Sequence, residues 1–257
     1  MSIRVADDGP IRTITFDRPE KRNSFDEPML HAFGAAIEEA AGRDDLRVII
    51  VTGDERAFST GADLATYVGY GPFAVREANL RTWMKVLGAI EAIDKPVIAA
   101  VQGYAVAGGT ELILACDLVV AADDAVLGLS EMRVGVIPGA GASVRLTRWV
   151  GRAHAKEILM TGDSLSAEHA HRIGLVNRLV PAAEVPGVAR ELAETLAARS
   201  PLALAAAKRA VNIGSEMPLP QGMAYALAEF ALLFASDDQK EGMSAFLEKR
   251  PARFTGT

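Results

Sequence analysis

Glu111 is the first residue whose type does not suit its surroundings. It lies within Gly108-Gly109-Thr110-Glu111-Leu112-Ile113-Leu114-Ala115-Cys116, a run that is apolar on its other faces after the glycines and reads as a buried helix. A carboxylate there costs several kcal/mol unless it is paired, solvated or protonated. A first-turn glutamate favoured by the helix dipole would explain the same letters, and the local pattern leaves both readings open. The glycine pair lets a ligand approach the backbone and leaves N–H groups free to meet it. A tight strand-to-helix turn at positive φ would also ask for glycine. No G-x-G-x-x-G is present and no acidic residue follows at dinucleotide distance, which argues against a nicotinamide cofactor.

A second small-residue loop, Phe58-Ser59-Thr60-Gly61-Ala62-Asp63, also follows an apolar strand. Two such loops, each offering a backbone N–H, could converge on one oxygen as an oxyanion hole, which works where negative charge develops in a transition state. Glu131, within Leu129-Ser130-Glu131-Met132-Arg133, stands on a third loop; taken alone it reads as a surface ion pair with Arg133. Pro138-Gly139-Ala140-Gly141 is a fourth flexible turn before a helix at 143–150. Other candidates are poor. His169 and His171 are two apart and make no metal pair, His31 and His154 are isolated, and Cys116 reads as a core residue. There is no Gly-x-Ser-x-Gly elbow.

The elements that must position these loops repeat a theme. Runs at 3–5 and 11–16 read as a hairpin about the turn Asp7-Asp8-Gly9-Pro10. Helical spacing covers 27–41 and stops at Gly42. Apolar strands at 48–51, 97–101 and 118–122 each hand over to a loop: 54–63, then 103–109, then 126–128 leading to Glu131. A helical region at about 71–93 ends at Asp94-Lys95-Pro96. The recurrence suggests an α/β fold of stacked β-β-α turns instead of one flat doubly wound sheet. Beyond Gly141 the strand signals fade except at 176–180, and helical patterns occupy 185–198, 202–211, 221–234 and 239–249. The expected organisation is a core at 1–195 and a helical tail at 196–257, whose apolar faces must fold back or pack on another subunit.

Composition bounds the function. The chain has 257 residues, a formal charge of −6 and 50% hydrophobic residues, enough for a substantial core. With a pI near 5.3, general affinity for nucleic acid or anionic membranes is not expected. The single cysteine, the absence of an apolar N-terminal run and the polar interruptions of every long apolar stretch point to a cytoplasmic protein that spans no bilayer.

Taken together, the motifs resemble the crotonase, or enoyl-CoA hydratase/isomerase, family over nearly the whole chain. They are Asp17-Arg18-Pro19 with Asn23, then Ala57-Phe58-Ser59-Thr60-Gly61-Ala62-Asp63-Leu64. They continue with 95–105, Gly108-Gly109-Thr110-Glu111-Leu112, Cys116-Asp117, Glu131, 135–141, Arg145-Leu146 and 241–250. The resemblance implies a crotonase-like spiral of β-β-α turns with a C-terminal helical trimerisation segment. It implies an acyl-CoA thioester substrate, no metal or redox cofactor, and self-association as a trimer or a hexamer built as a dimer of trimers. The N–H groups of Ala62 and Gly108 would bind the thioester oxygen, with Glu111 and Glu131 as catalytic carboxylates. Lys21, Arg22, Ser24, Ala57, Ser59, Gly61, Asp63, Leu64, Tyr104 and Gly109 would hold CoA and substrate. Phe230 and Lys249 would approach the CoA adenine and phosphate, usually those of a neighbouring subunit.

Keeping both glutamates favours hydration of a 2-enoyl thioester. The alternatives are an isomerase or other enolate chemistry, and more distantly an idle acyl-CoA-binding protein. Leu64, Tyr67, Trp83 and Met84 are candidates for lining the acyl pocket. Two departures from the family pattern flank the site: Ser130 in place of a proline, and Ala142-Ser143-Val144 in place of Gly-Gly-Thr-Gln.

Overall fold

A computed structural model describes residues 2–257. The chain opens with β1 (Ile3–Asp8) and β2 (Ile11–Phe16), paired antiparallel with Asp8 opposite Ile11. Gly9, at φ +57°, and Pro10 therefore make the turn alone, and Asp7 and Asp8 belong to the strand, not to the turn. The reason is a cross-strand ion pair: the buried Arg12 guanidinium donates to both Asp7 carboxylate oxygens at 2.8 and 2.9 Å. Next comes α1 (Glu27–Ala41), where Asp26 accepts the Met29 N–H at the N-terminus and Gly42 follows the C-terminus, as the sequence pattern requires.

Three β-β-α turns follow. The first is β3 (Val48–Thr52), β4 (Ala57–Ser59) and the helices α2 (Pro72–Arg81) and α3 (Trp83–Ala92). The second is β5 (Val97–Val101), β6 (Tyr104–Val106) and α4 (Gly108–Ala115). The third is β7 (Leu118–Ala122), β8 (Val126–Gly128) and α5 (Ala142–Thr161). In each turn the first strand joins a six-stranded sheet of order β1-β2-β3-β5-β7-β10 and the second joins a four-stranded sheet of order β4-β6-β8-β9. Successive turns stack in parallel register, Ile50 against Ile98 and Ala100 against Val120. Strands that alternate between two sheets make the fold a spiral, as expected.

β9 (Ser164–Ser166), α6 (Ala167–Arg172), β10 (Arg178–Val180) and α7 (Val185–Ala197) complete the core. The expected loop at 54–63 contains β4, and β9 was not expected; three residues are too few for an alternating pattern. The helix expected at 143–150 ends at the non-helical Gly151, at φ +78° and ψ 167°, and a second helical segment carries α5 across that kink to Thr161. Residues 71–93 form two helices because Thr82, at φ −114° and ψ −90°, breaks the run. The expected domain border at 195/196 falls inside α7, whose Val185, Ala189, Leu192 and Ala193 are buried; the helical tail begins after it, at Ser200.

β3, β5 and β7 bury nearly every side chain, and Phe16 anchors an aromatic cluster with Phe25, Phe33 and Phe58 at centroid distances of 4.8, 5.2 and 5.4 Å. Trp83 adds to it edge-on, 5.3 Å from Phe25. The tail comprises α8 (Pro201–Asn212), α9 (Leu219–Leu233) and α10 (Asp237–Leu247). Lys208 pins α8 to the core by donating to Asp117 at 2.8 Å and to the carbonyls of Ile90 and Lys95. On α9 no residue is buried, and Leu219, Met223, Leu227, Phe230 and Leu232 face outward. No helix among the described residues is long and apolar enough to cross a membrane.

Candidate active site

The three loops at the small-sheet ends converge on the start of α4. Neither Gly108 nor Gly109 has a positive φ; the left-handed residue is Ala107, at φ +51° and ψ −125°. The turn explanation for the glycine pair therefore fails, and crowding replaces it. A Cβ on Gly109 would lie 2.2 Å from the Ser59 carbonyl oxygen, and one on Gly61 would lie 2.4 Å from the Gly108 nitrogen. A Cβ on Gly108 would meet Trp83 at 2.9 Å. The glycines let the loop after β4 and the start of α4 touch backbone to backbone. The strained Ala107 is held by its N–H to the Gly128 carbonyl at 2.8 Å, and Thr110 Oγ1 ties the same turn to Ala105 and Gly128.

This contact brings two N–H groups together. Phe25 N–H donates to Gly61 at 2.7 Å and Asp63 N–H donates to Phe25 at 2.8 Å, so the bridge skips the N–H of Ala62 between them. Gly108 is the first residue of α4, and its N–H has no intrahelical acceptor. The structure thus places Ala62 and Gly108 on neighbouring backbones.

Glu111 is 4% exposed, and its Oε1 accepts the N–H groups of Ala140 at 2.9 Å and Ala142 at 3.1 Å. These donors belong to another loop, so Glu111 does not cap its own helix. Burial pushes its pKa up, while the two N–H groups and the Arg145 charge pull it back. Arg145 Nη1 donates to the Ala140 carbonyl at 2.6 Å, and its guanidinium is held by Glu91 at 2.6 and 2.7 Å. Ala140 and Ala142 are functional positions that the sequence analysis missed. Their backbone donors leave no mark on residue type beyond a glycine-rich loop leading into a helix.

Glu131 opens a short 3-10 turn, Glu131–Val134, with no side-chain cap at Ser130. Its Oε2 is buried and, among the described residues, has no hydrogen-bond partner. Burial pushes the carboxyl up to about 7, its own backbone N–H opposes that push, and the nearby Glu111 charge adds to it, so the two carboxylates lie close together. The expected ion pair with Arg133 does not form: Arg133 donates to Asp163 at 3.0 Å. No cluster of three His, Cys, Asp or Glu that could hold a metal occurs among the described residues.

The other expected ligand residues divide. Arg22, at φ +50°, and Tyr104 are brought together, the guanidinium 5.5 Å from the ring centroid, with Lys21 exposed beside them. Leu64 is also exposed. Ser24, Ala57 and Ser59 are buried. Ser59 Oγ donates to the Asn23 carbonyl at 2.8 Å and accepts the Gly61 N–H at 3.0 Å. Asp63 accepts from Arg18 and from the Ala65 N–H. These side chains build the loop, and what they can offer a ligand is backbone. Phe230 lies on α9, which packs chiefly on α8 and the Gly214–Glu216 turn, and Lys249 follows α10. A cavity of about 400 Å³ is lined by Tyr67 and Trp83 together with Phe25, Leu30, Thr66 and Tyr70. Leu64 and Met84 are not among its lining residues.

Comparison with known proteins agrees with this geometry. The family described as "Enoyl-CoA hydratase/isomerase" matches residues 7–257. A probable enoyl-CoA hydratase of Mycobacterium tuberculosis is 39% identical over 254 residues, 99% of this chain and 98% of its own. A crotonyl-CoA hydratase of Syntrophomonas wolfei is 37% identical over 95% of this chain and 94% of its own. The crystal structure of an enoyl-CoA hydratase from Bacillus anthracis superposes with a TM-score of 0.96 at 35% identity, covering all of both chains.

Proposed function

The chain belongs to the enoyl-CoA hydratase/isomerase family, and from that premise we propose that it is a hydro-lyase that adds water across the double bond of a 2-enoyl-CoA thioester. The observation that carries this reading is the contrast between the two carboxyls of one site, Glu111 gripped by two N–H groups of another loop and Glu131 with one buried oxygen lacking any donor among the described residues and a pKa raised to about 7. Hydration needs both a base and an acid.

In the proposed mechanism the thioester oxygen sits against the N–H groups of Ala62 and Gly108, which stabilise the enolate-like charge. Each such donor contributes about 10²–10³ in rate. The Glu111 carboxylate orients water and takes its proton as the oxygen bonds to C3. Glu131 in its acid form gives its proton to C2, where the enolate electron pair forms the new C–H bond. Proton exchange with solvent then resets both groups. No step is routed through a metal or redox group.

Lys21, Arg22 and Tyr104 offer an exposed cationic and aromatic corner for the CoA nucleotide. The cavity bounded by Tyr67 and Trp83 offers room for the acyl end. The outward apolar face of α9 supports self-association as a trimer or hexamer, in which Phe230 and Lys249 would reach a neighbour's CoA. Light scattering at micromolar concentration tests the assembly, and a stable monomer contradicts it. The function is tested on a panel of 2-enoyl- and 3-enoyl-CoA esters by loss of the enoyl-thioester ultraviolet absorbance and product analysis. Hydration of 2-enoyl esters is expected; isomerisation of 3-enoyl esters without hydration, or binding without turnover, overturns the reading.

A further inference from the structure

The loop that serves Glu111, Pro138-Gly139-Ala140-Gly141-Ala142, is anchored by the buried Ala140 and Ala142 but has no polar side chain to orient its peptides. Two side chains from elsewhere do so. Arg145 grips the Ala140 carbonyl from the inner side. On the outer side Asn79, from α2, donates its Nδ2 to the Gly139 carbonyl at 3.4 Å, while its Oδ1 accepts the Tyr67 hydroxyl at 3.0 Å. The hydroxyl orients the amide: with Oδ1 engaged by a donor, Nδ2 is the atom turned to Gly139.

Gly139 leaves room for this approach: its φ is not positive, and a Cβ there would lie 2.5 Å from Asn79 Nδ2, so a larger residue would push the amide aside. The Gly139 carbonyl and the Ala140 N–H are two ends of one planar peptide. Asn79 therefore holds the oxygen of the peptide whose N–H lies 2.9 Å from Glu111 Oε1. Donation to a peptide carbonyl also polarises its N–H and strengthens the bond that it makes.

We propose that Asn79, oriented by Tyr67, is a positioning residue for Glu111: it fixes the Gly139–Ala140 peptide and thereby aims its N–H at the carboxylate. The role in turnover rests on the hydratase reading; the grip on Glu111 does not. The charged and titratable groups around Glu111 are Arg145 on α5, Glu91 on α3, Glu131 on the turn after β8 and Tyr67 before α2. Asn79→Ala leaves all four in place.

The test compares wild type, Asn79→Ala, Tyr67→Phe and the double variant in two readouts. One is kcat and KM on crotonyl-CoA; the other is the Glu111 titration followed by carboxyl-carbon NMR and assigned with Glu111→Gln. Asn79→Ala is expected to lower kcat about tenfold with KM within about threefold, and to raise the Glu111 midpoint as the N–H bond loosens. Tyr67→Phe keeps the ring and should cost about threefold alone and nothing further beside Asn79→Ala, because the two act through one chain of bonds. An unmoved Glu111 midpoint in Asn79→Ala, or independent losses in the double variant, overturns the proposal. The midpoint is read without turnover, so a wild type that fails to hydrate defeats the hydratase reading while the titration still decides for or against Asn79.

Discussion

Glu111 and Glu131 are the same residue type in one site, held in opposite ways. Around Glu111 every residue of α4 from Gly108 to Ala115 is buried, two N–H groups reach the carboxylate, and Arg145 stands behind the loop that supplies them. Around Glu131 the 3-10 turn buries none of its residues, and one carboxyl oxygen is sealed from water without a donor. Burial alone would make both groups reluctant to ionise. The difference lies in the compensation: two N–H groups and the Arg145 charge offset burial at Glu111, whereas at Glu131 its own backbone N–H alone does so and one oxygen has no donor among the described residues. The proposed division of acid from base between two identical side chains rests on where the fold sends those backbone N–H groups.

The strongest way to break this comparison is to remove the ionisable group at its rigid end. Glu111→Gln keeps an oxygen for the Ala140 and Ala142 donors, so the fold should persist while hydration of crotonyl-CoA falls about 10²–10⁴-fold. A near-parental rate would show that the gripped carboxylate is only structural. Next in size is Gly108→Pro, which deletes the proposed oxyanion donor and should cost about 10²–10³-fold, counted only if circular dichroism and oligomer size are unchanged. Full activity in a folded Gly108→Pro protein would reduce that glycine to a packing residue.

Arg145→Leu sharpens the contrast by releasing the Ala140 carbonyl and removing the positive charge that helps Glu111 ionise, with both glutamates kept in the chain. A loss of about tenfold or more in kcat is expected from one charge-assisted hydrogen bond, with substrate binding kept. A change confined to KM would contradict that. The smallest effect concerns stability. Glu131 is raised in the fold to about 7 from an ordinary value of 4.5, so the folded state binds its proton more tightly than the unfolded chain. Wild type should lose stability as pH rises from that ordinary range through about 7, and Glu131→Gln should be free of that loss. Denaturant titrations across pH check it; parallel curves for the two proteins would deny the burial cost.

Much of the spiral was legible in the sequence because β3, β5 and β7 are continuous apolar runs and Gly42 stops the helical spacing of α1. β4 and β9 were illegible because three residues carry no period. Glu111 stood out as a carboxylate among apolar residues, whereas Glu131 resembled half of an ion pair with Arg133 until Asp163 was seen to take that arginine. The glycines at 61, 108, 109 and 139 were legible as small residues but not as to cause. Gly108 and Gly109 are demanded by atoms distant in sequence, which no local pattern records; Gly61 adds a φ of +83° to such a contact, and Gly139 lies against the Asn79 amide. For the same reason Asn79 and the N–H groups of Ala140 and Ala142 were invisible.

The division of labour between the two carboxyls is tested most directly by the pH dependence of kcat for crotonyl-CoA hydration in wild type and Glu131→Gln. If Glu131 works as the acid, the wild-type rate falls as pH rises through about 7, where that carboxyl loses its proton. In Glu131→Gln the descending limb disappears, and below that pH the rate is lower by about 10²–10⁴-fold, the gap narrowing as wild type declines. A variant that keeps the parental rate, or that keeps the same descending limb, would contradict the account.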